Sequence, residues 1–247
     1  MAEHSAIAWT DHTFNPWWGC TKVSTGCEHC YAETLANRFE PGLWGPSGRR
    51  RFFGAKHWAE PLRRERRAAK TGKRERVFVG SMCDVFEERN GVVGRQLGLE
   101  RDGLMVLIND TPHLDWLLLT KRPYSALRYL DFGLPDNLWL GVTAENQAAA
   151  DDRIPDVALV MASTRFVSCE PLLGPVSLDR LVGWGIQWVI AGCESGPRAR
   201  PADIDWFRSL RDQCIEAGVP FFLKQMMVDG KLVREPELDG RQWLETP

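Results

Sequence analysis

The sequence predicts an α/β fold, a full or partial (β/α) TIM-type barrel with parallel strands, built as a single domain over residues 1–247. Three observations point there. Six short, near-continuous apolar runs read as buried strands, and such runs suit parallel strands covered on both faces. Helical patterns fall between them, which implies right-handed βαβ units. The length of 247 residues suits one undivided barrel domain. An open doubly wound sheet is the competing architecture.

A first strand is expected within residues 7–18. A cysteine-bearing loop near residues 15–33 leads into a helix at Tyr31–Phe39. Residues 42–54 form a Gly/Pro/Arg-rich loop within a basic insertion near 42–76, and a Pro-started basic helix is expected at 59–70. The strand at 76–81 (RVFVGS) follows, then a helix over Gly91–Asn109 in spite of its glycines, then a strand at 115–120 (DWLLLT). The strand Leu138–Thr143 (LWLGVT) feeds a helix at 146–163, which Pro155 must kink or restart. Strands at 165–169 (RFVSC) and 187–191 (QWVIA) come next. The helix at 203–217 has an Asp near its start, Ile204, Phe207, Leu210 and Cys214 on one face, and Gly218 as its stop. A strand at 220–224 (PFFLK) ends the series.

Hydrophobic residues make up 44% of the chain, enough for a real core, which excludes global disorder. The net charge of −2 says little, but its distribution says more. From Arg49 to Arg76 there are twelve Lys/Arg against three Glu, a local balance of +9 that can mark an anionic partner. No apolar run of about 18 residues is present, so no membrane span is expected. The opening Met-Ala-Glu-His-Ser has no basic region followed by an apolar one, so no secretion signal is expected. Seven cysteines, four of them widely spaced (Cys83, Cys169, Cys193, Cys214), suit reduced thiols and a cytoplasmic location more than a disulfide framework.

Each strand delivers a polar side chain at its C-terminal end. In order these are Ser81 and Asp84, Thr120 with Lys121 and Arg122, Thr143 with Glu145, then Glu170, Glu194 and Lys224. A barrel gathers such ends around one mouth, where barrel active sites are built. Strand ends meet water and are often polar for that reason alone, but six in succession point to a shared pocket. Glu145, Glu170 and Glu194 paired with Lys121, Arg122 and Lys224 would equally make a structural ion network.

The stretch NPWWGCTKVSTGCEHCYAE places Cys20, Cys27 and Cys30 as Cys-x6-Cys-x2-Cys on one loop. Three thiolates can hold three irons of a [4Fe-4S] cluster and leave the fourth iron open. The alternatives are zinc, held by the three cysteines with His12 or His29, and plain buried thiols.

These residues resemble the radical S-adenosylmethionine superfamily, in which a cysteine triad after the first strand precedes a (β/α) barrel. The blocks NPWWGCTKVSTGCEHCYAE, VFVGSMCD, LLLTKRP, LGVTAENQ, FVSCEPLLG, AGCESGPRARP and FFLKQ also resemble, in order, a phage and prophage family with a three-cysteine motif and no characterised function. LLLTKRP resembles the spore photoproduct lyase branch. The first cysteine gap departs from the common spacing of three. The resemblance implies a radical enzyme whose cluster binds S-adenosyl-L-methionine and takes an electron from a donor. It assigns Cys20, Cys27 and Cys30 to the metal. It assigns Ser81, Asp84, Thr120, Thr143 and Glu145 to the cofactor, and Lys121, Glu170, Glu194 and Lys224 to the substrate chemistry.

The substrate class suggested by the residues is a nucleotide or nucleic acid, modified or repaired. Arg49, Arg50 and Arg51 lie beside Phe52 and Phe53, as cations and aromatics do on nucleic-acid surfaces. Arg198 and Arg200 would hold a phosphate. A zinc-stabilised nucleic-acid-binding protein without catalysis and a metal-free hydrolase using Glu170 and Glu194 are the competing functions.

Overall fold

The structure is a computed structural model, and it describes residues 5, 7–130, 133–179 and 183–247. Residues 1–4, which carry most of the Met-Ala-Glu-His-Ser start, lie outside the described residues. The chain runs β1 (His12–Phe14), β2 (Trp17–Trp18), α1 (Tyr31–Phe39), β3 (Arg51–Phe52), α2 (Ala55–Trp58), α3 (Glu60–Thr71), β4 (Glu75–Val79) and α4 (Gly91–Asn109). It continues through β5 (Leu114–Thr120), α5 (Pro123–Tyr129), β6 (Leu138–Thr143), α6 (Gln147–Leu159), β7 (Thr164–Cys169) and β8 (Trp188–Gly192). The last elements are α7 (Ile204–Ala217), β9 (Phe221–Val228), β10 (Lys231–Arg234), β11 (Glu237–Leu238) and β12 (Arg241–Gln242).

Eight strands form one sheet in the order β1-β4-β5-β6-β7-β8-β9-β10, parallel throughout except for the antiparallel β9–β10 pair. Among the described residues β1 and β10 do not pair, so the sheet is an open, curled half-barrel and not a closed TIM barrel.

Period-2 alternation along buried strands divides the interior in two. Val77, Val79, Trp116, Leu118, Leu140, Val167, Val189 and Leu223 face the helices in the larger core. Their neighbours Phe78, Leu117, Trp139, Phe166, Trp188, Ile190 and Phe222 pack with Trp9 on the sheet's other face. Gly141 stands among these rings because a Cβ there would lie 2.3 Å from the Phe166 ring. Trp9 and Phe78 of this aromatic packing reach a pocket at the C-terminal ends of the strands.

The expected strands recur within two residues at their starts, and Tyr31–Phe39 and Gly91–Asn109 recur as expected. Four differences have local causes. Pro155 lies inside α6, which continues through it as one helix to Leu159. The 42–54 loop contains β3, paired with β2. Helix α5 starts at Pro123, whose fixed φ suits a first helical position. The β9–β10 hairpin turns on Asp229 and Gly230, both at positive φ, the conformation that Asp-Gly turns provide.

Candidate functional site

The C-terminal ends of β4 to β9 surround a pocket with about 1130 Å³ of empty volume, its open mouth included. Trp9, Phe78 and Leu119, from the inner aromatic packing, line it together with the polar strand ends. Ser81, Asp84, Thr120, Lys121, Thr143, Glu170, Glu194 and Lys224 all line it, and so do Cys20, Cys27 and Cys30. The sequence-derived site is therefore one place. Glu145 is fully buried beside it, held by Arg153 at 2.7 Å.

The cysteine loop is strapped across this mouth. Gly19 starts it at φ +111, where a Cβ would stand 2.4 Å from the Leu43 carbonyl oxygen. Arg122 Nη2 donates to the Thr21 carbonyl at 2.6 Å, and Gly26 N–H donates to Glu145 Oε1 at 3.3 Å. His29 Nδ1 meets Glu194 Oε2 at 3.1 Å, and Arg200 Nη2 donates to the Thr25 carbonyl at 3.0 Å. Beneath the loop, the fully buried Arg50 guanidinium pairs with Glu87 at 2.6 Å. It also donates to the carbonyls of Leu43 and Gly48. No spacing motif announces Arg50 or Glu87, and the arginine run gave no reason to separate Arg50 from its exposed neighbours.

Most charges in the mouth are committed to one another. Asp84 accepts from Thr120 Oγ1 at 2.8 Å, Lys121 N–H at 3.1 Å and Arg122 Nη1 at 2.8 Å. Lys224 Nζ is hydrogen-bonded to Glu170 Oε1. Gly192 lets that pair close, because a Cβ there would sit 3.2 Å from the Glu170 carboxyl carbon. Burial alone would raise the Glu194 carboxyl, but the Arg200 fork and the His29 hydrogen bond outweigh it and hold it at about 2. An ionised carboxylate only accepts, so His29 Nδ1 carries the proton of their bond. Burial likewise opposes ionisation of Glu145, yet Ser24, Arg153 and Lys121 bring it below the usual carboxylate range.

Lys121 differs. Its Nζ donates to Thr143 Oγ1 at 3.2 Å, and it has no carboxylate within ion-pair distance among the described residues. Trp9 is 4% exposed, and its indole N–H has no acceptor among the described residues.

The thiols contradict the expected metal centre. Among the described residues no group of three or more His, Cys, Asp or Glu side chains is placed to hold a metal ion. Each thiol has its own surroundings. Cys20 Sγ lies 3.7 Å from Arg122 Nη1 and 3.5 Å from the Thr21 carbonyl, while Cys27 Sγ lies 3.9 Å from Ser24 Oγ. Burial, then the charge of Asp84, pushes the Cys20 thiol up to about 12, and burial also raises Cys30. The zinc alternative fails on the same finding, since His12 is bonded to Glu75 and His29 to Glu194. A [4Fe-4S] cluster on Cys20, Cys27 and Cys30 is therefore not supported. The radical S-adenosyl-L-methionine enzyme, its cofactor and its electron donor, all inferred from that cluster, lose their basis with it. The residues expected to receive the cofactor are largely engaged elsewhere: Ser81 Oγ accepts from Asn15, Asp84 is held by Arg122, and Glu145 by Arg153.

The basic stretch is also partly neutralised. Arg49 and Arg51 lie near Glu40, Arg63 near Glu60, Arg67 near Glu75, and Arg74 pairs with Asp115 at 2.5 Å. Arg200 belongs to the Glu194 strap, and Arg198 is exposed.

The sequence model of a family described as a protein of unknown function, DUF5131, matches residues 4–247. The chain belongs to that family. No curated protein matches it. Among solved structures it is similar to a spore photoproduct lyase variant with bound AdoMet and a dinucleoside spore photoproduct. The TM-score is 0.50 at 11% identity, over 88% of this chain and 56% of that one. That likeness establishes the fold alone. No helix among the described residues is long and apolar enough to cross a membrane.

Proposed function

We propose that the DUF5131 chain binds an anionic, nucleotide-type small molecule in the mouth of its half-barrel. The observation that carries this is Lys121, a pocket-lining ammonium that acts on Glu145 only from beyond ion-pair distance, while its neighbours Arg122 and Lys224 each have a carboxylate in direct contact. A phosphate or carboxylate on the ligand would supply the missing charge. The aromatic floor of Trp9 and Phe78 suits a base, and the unpartnered Trp9 N–H suits an acceptor on it. The C-terminal ends of parallel strands are where such folds bind ligands. The similar solved structure carries nucleoside-containing molecules, which agrees with this ligand class.

Of the residues expected to act on a substrate, Lys121 takes the anchoring role. Glu170 and Lys224, hydrogen-bonded to each other in the pocket, can hand a proton to or from a bound group. Glu194 is assigned to holding the loop, because Arg200 and His29 occupy its oxygens. Thr120 serves by holding Asp84 and Ser81 is engaged by Asn15, while the Thr143 hydroxyl stands beside the Lys121 ammonium. Arg49 to Arg76, with Arg198, would serve only a longer nucleic acid. Seven free cysteines, four of them buried, support a reducing, cytoplasmic setting.

Calorimetric titration with nucleosides and nucleoside mono- and triphosphates tests this. The phosphorylated ligands are expected to bind and the nucleosides to bind at least about tenfold more weakly. In Lys121→Met that difference is expected to vanish. Binding that ignores the phosphate, or survives the substitution unchanged, would overturn the proposal.

A further inference from the structure

Helix α4 buries Leu97, Leu104, Leu107 and Ile108 against the sheet. Its outer face also carries apolar residues: Val92, Leu99 and Val106 are 73%, 64% and 61% exposed. They stand seven residues apart, which places them on one line along the helix. Single exposed apolar residues need no explanation, but an aligned row of three is a surface feature. Between them on the same stripe lie two exposed charges of opposite sign, Arg95 and Asp102. Arg95 has no ion pair or hydrogen bond among the described residues, and Asp102 accepts from the Tyr129 hydroxyl at 2.5 Å. This is a heptad seam with apolar a positions and charged d positions, and among the described residues the monomer engages it only through the Tyr129 hydroxyl on Asp102.

We infer that this face of α4 pairs with α4 of a second copy of the chain, antiparallel, about a two-fold axis at Leu99. The charges select the occupant and the direction. That axis sets Leu99 against Leu99 of the partner subunit, Val92 against Val106 of the partner subunit, and Arg95 beside Asp102 of the partner subunit. A parallel pairing would oppose Arg95 to its own copy and Asp102 to its own copy, and like charges at close range disfavour it. The contact is isologous, so it closes at a dimer. The helix is about 28 Å long, and one helix pair buries less than the roughly 1,600 Å² of a standard interface. The dimer is accordingly weak and concentration-dependent. It lies on the outer face of the sheet's helical layer and does not depend on the proposed ligand.

Sedimentation velocity over a concentration series tests the pairing, with circular dichroism melts confirming that each variant folds. The wild-type chain should show a monomer–dimer equilibrium, and Leu99→Asp should abolish the dimer. Arg95→Glu and Asp102→Arg should each weaken self-association by roughly tenfold. An equimolar mixture of those two variants should restore the dimer, because each copy then meets its opposite charge. A wild-type chain that stays monomeric at every concentration, a dimer indifferent to Leu99→Asp, or a mixture that fails to recover would each overturn the inference.

Discussion

Two charge pairs hold the loop over the mouth, Arg50 with Glu87 fully buried and Arg200 with Glu194 half-buried. Arg50 is enclosed with Glu87 and satisfies carbonyls of the loop it supports. Removing one member of such a pair leaves the other buried and uncompensated, at about 3–5 kcal/mol. Arg50→Met is expected to lower stability by that amount in urea titrations, and Arg50→Lys to recover little, since one ammonium cannot reproduce the forked donors. Glu194 makes a pH-dependent contribution. Its carboxyl is held at about 2 against an ordinary 4.5, so its stabilisation is present above pH 4.5 and is lost as pH falls through that window toward 2. Melting temperatures measured from pH 5 to pH 2 should fall less steeply for Glu194→Gln than for the wild type, with the Gln variant less stable at neutral pH. Equal slopes would mean that the Arg200 and His29 contacts do not hold the carboxylate in solution. The residue scale is also where the sequence misled. Cysteine spacing counts residues along the chain, whereas the thiols' surroundings include Arg122, which lies outside the motif, and Thr21 and Ser24, whose identities the spacing leaves open.

Strands and helices were more legible than their contacts. Continuous apolar runs identified β4 to β9 because both faces of those strands are buried, and the polar residue closing each run identified the mouth. The hairpin of β9 and β10 was missed although Asp229-Gly230 signals it, and Asp239-Gly240 signals the turn between β11 and β12 in the same way. Two glycines show how position within an element decides a substitution. At Gly141 an added methyl meets the Phe166 ring, so Gly141→Ala should cost about 1–3 kcal/mol. At Gly98, inside α4, nothing lies within 4 Å of the built Cβ, so Gly98→Ala should stabilise by about 0.5–1 kcal/mol. Urea midpoints of the two variants should move in opposite directions, and movement in the same direction would contradict the inner packing described here.

At the scale of the whole molecule, an open half-barrel is a container with a filled base and a polar rim. The aromatic packing around Trp9 lies on the inner face of the sheet, the cysteine loop straps the mouth, and carboxylates pair directly with Arg122 and Lys224 but not with Lys121. The sequence made the container visible through its strand order and strand ends. It could not show which charges pair, because pairing depends on side chains that meet only across the curled sheet, such as Lys224 with Glu170 or His29 with Glu194. The most direct measurement is a crystal structure of the chain with a nucleoside monophosphate. The predicted result is a ligand in the mouth, its phosphate on Lys121 Nζ and its base against Trp9 and Phe78. A ligand seated instead on the basic face between Arg49 and Arg76, or a mouth left empty at saturating ligand, would contradict the account.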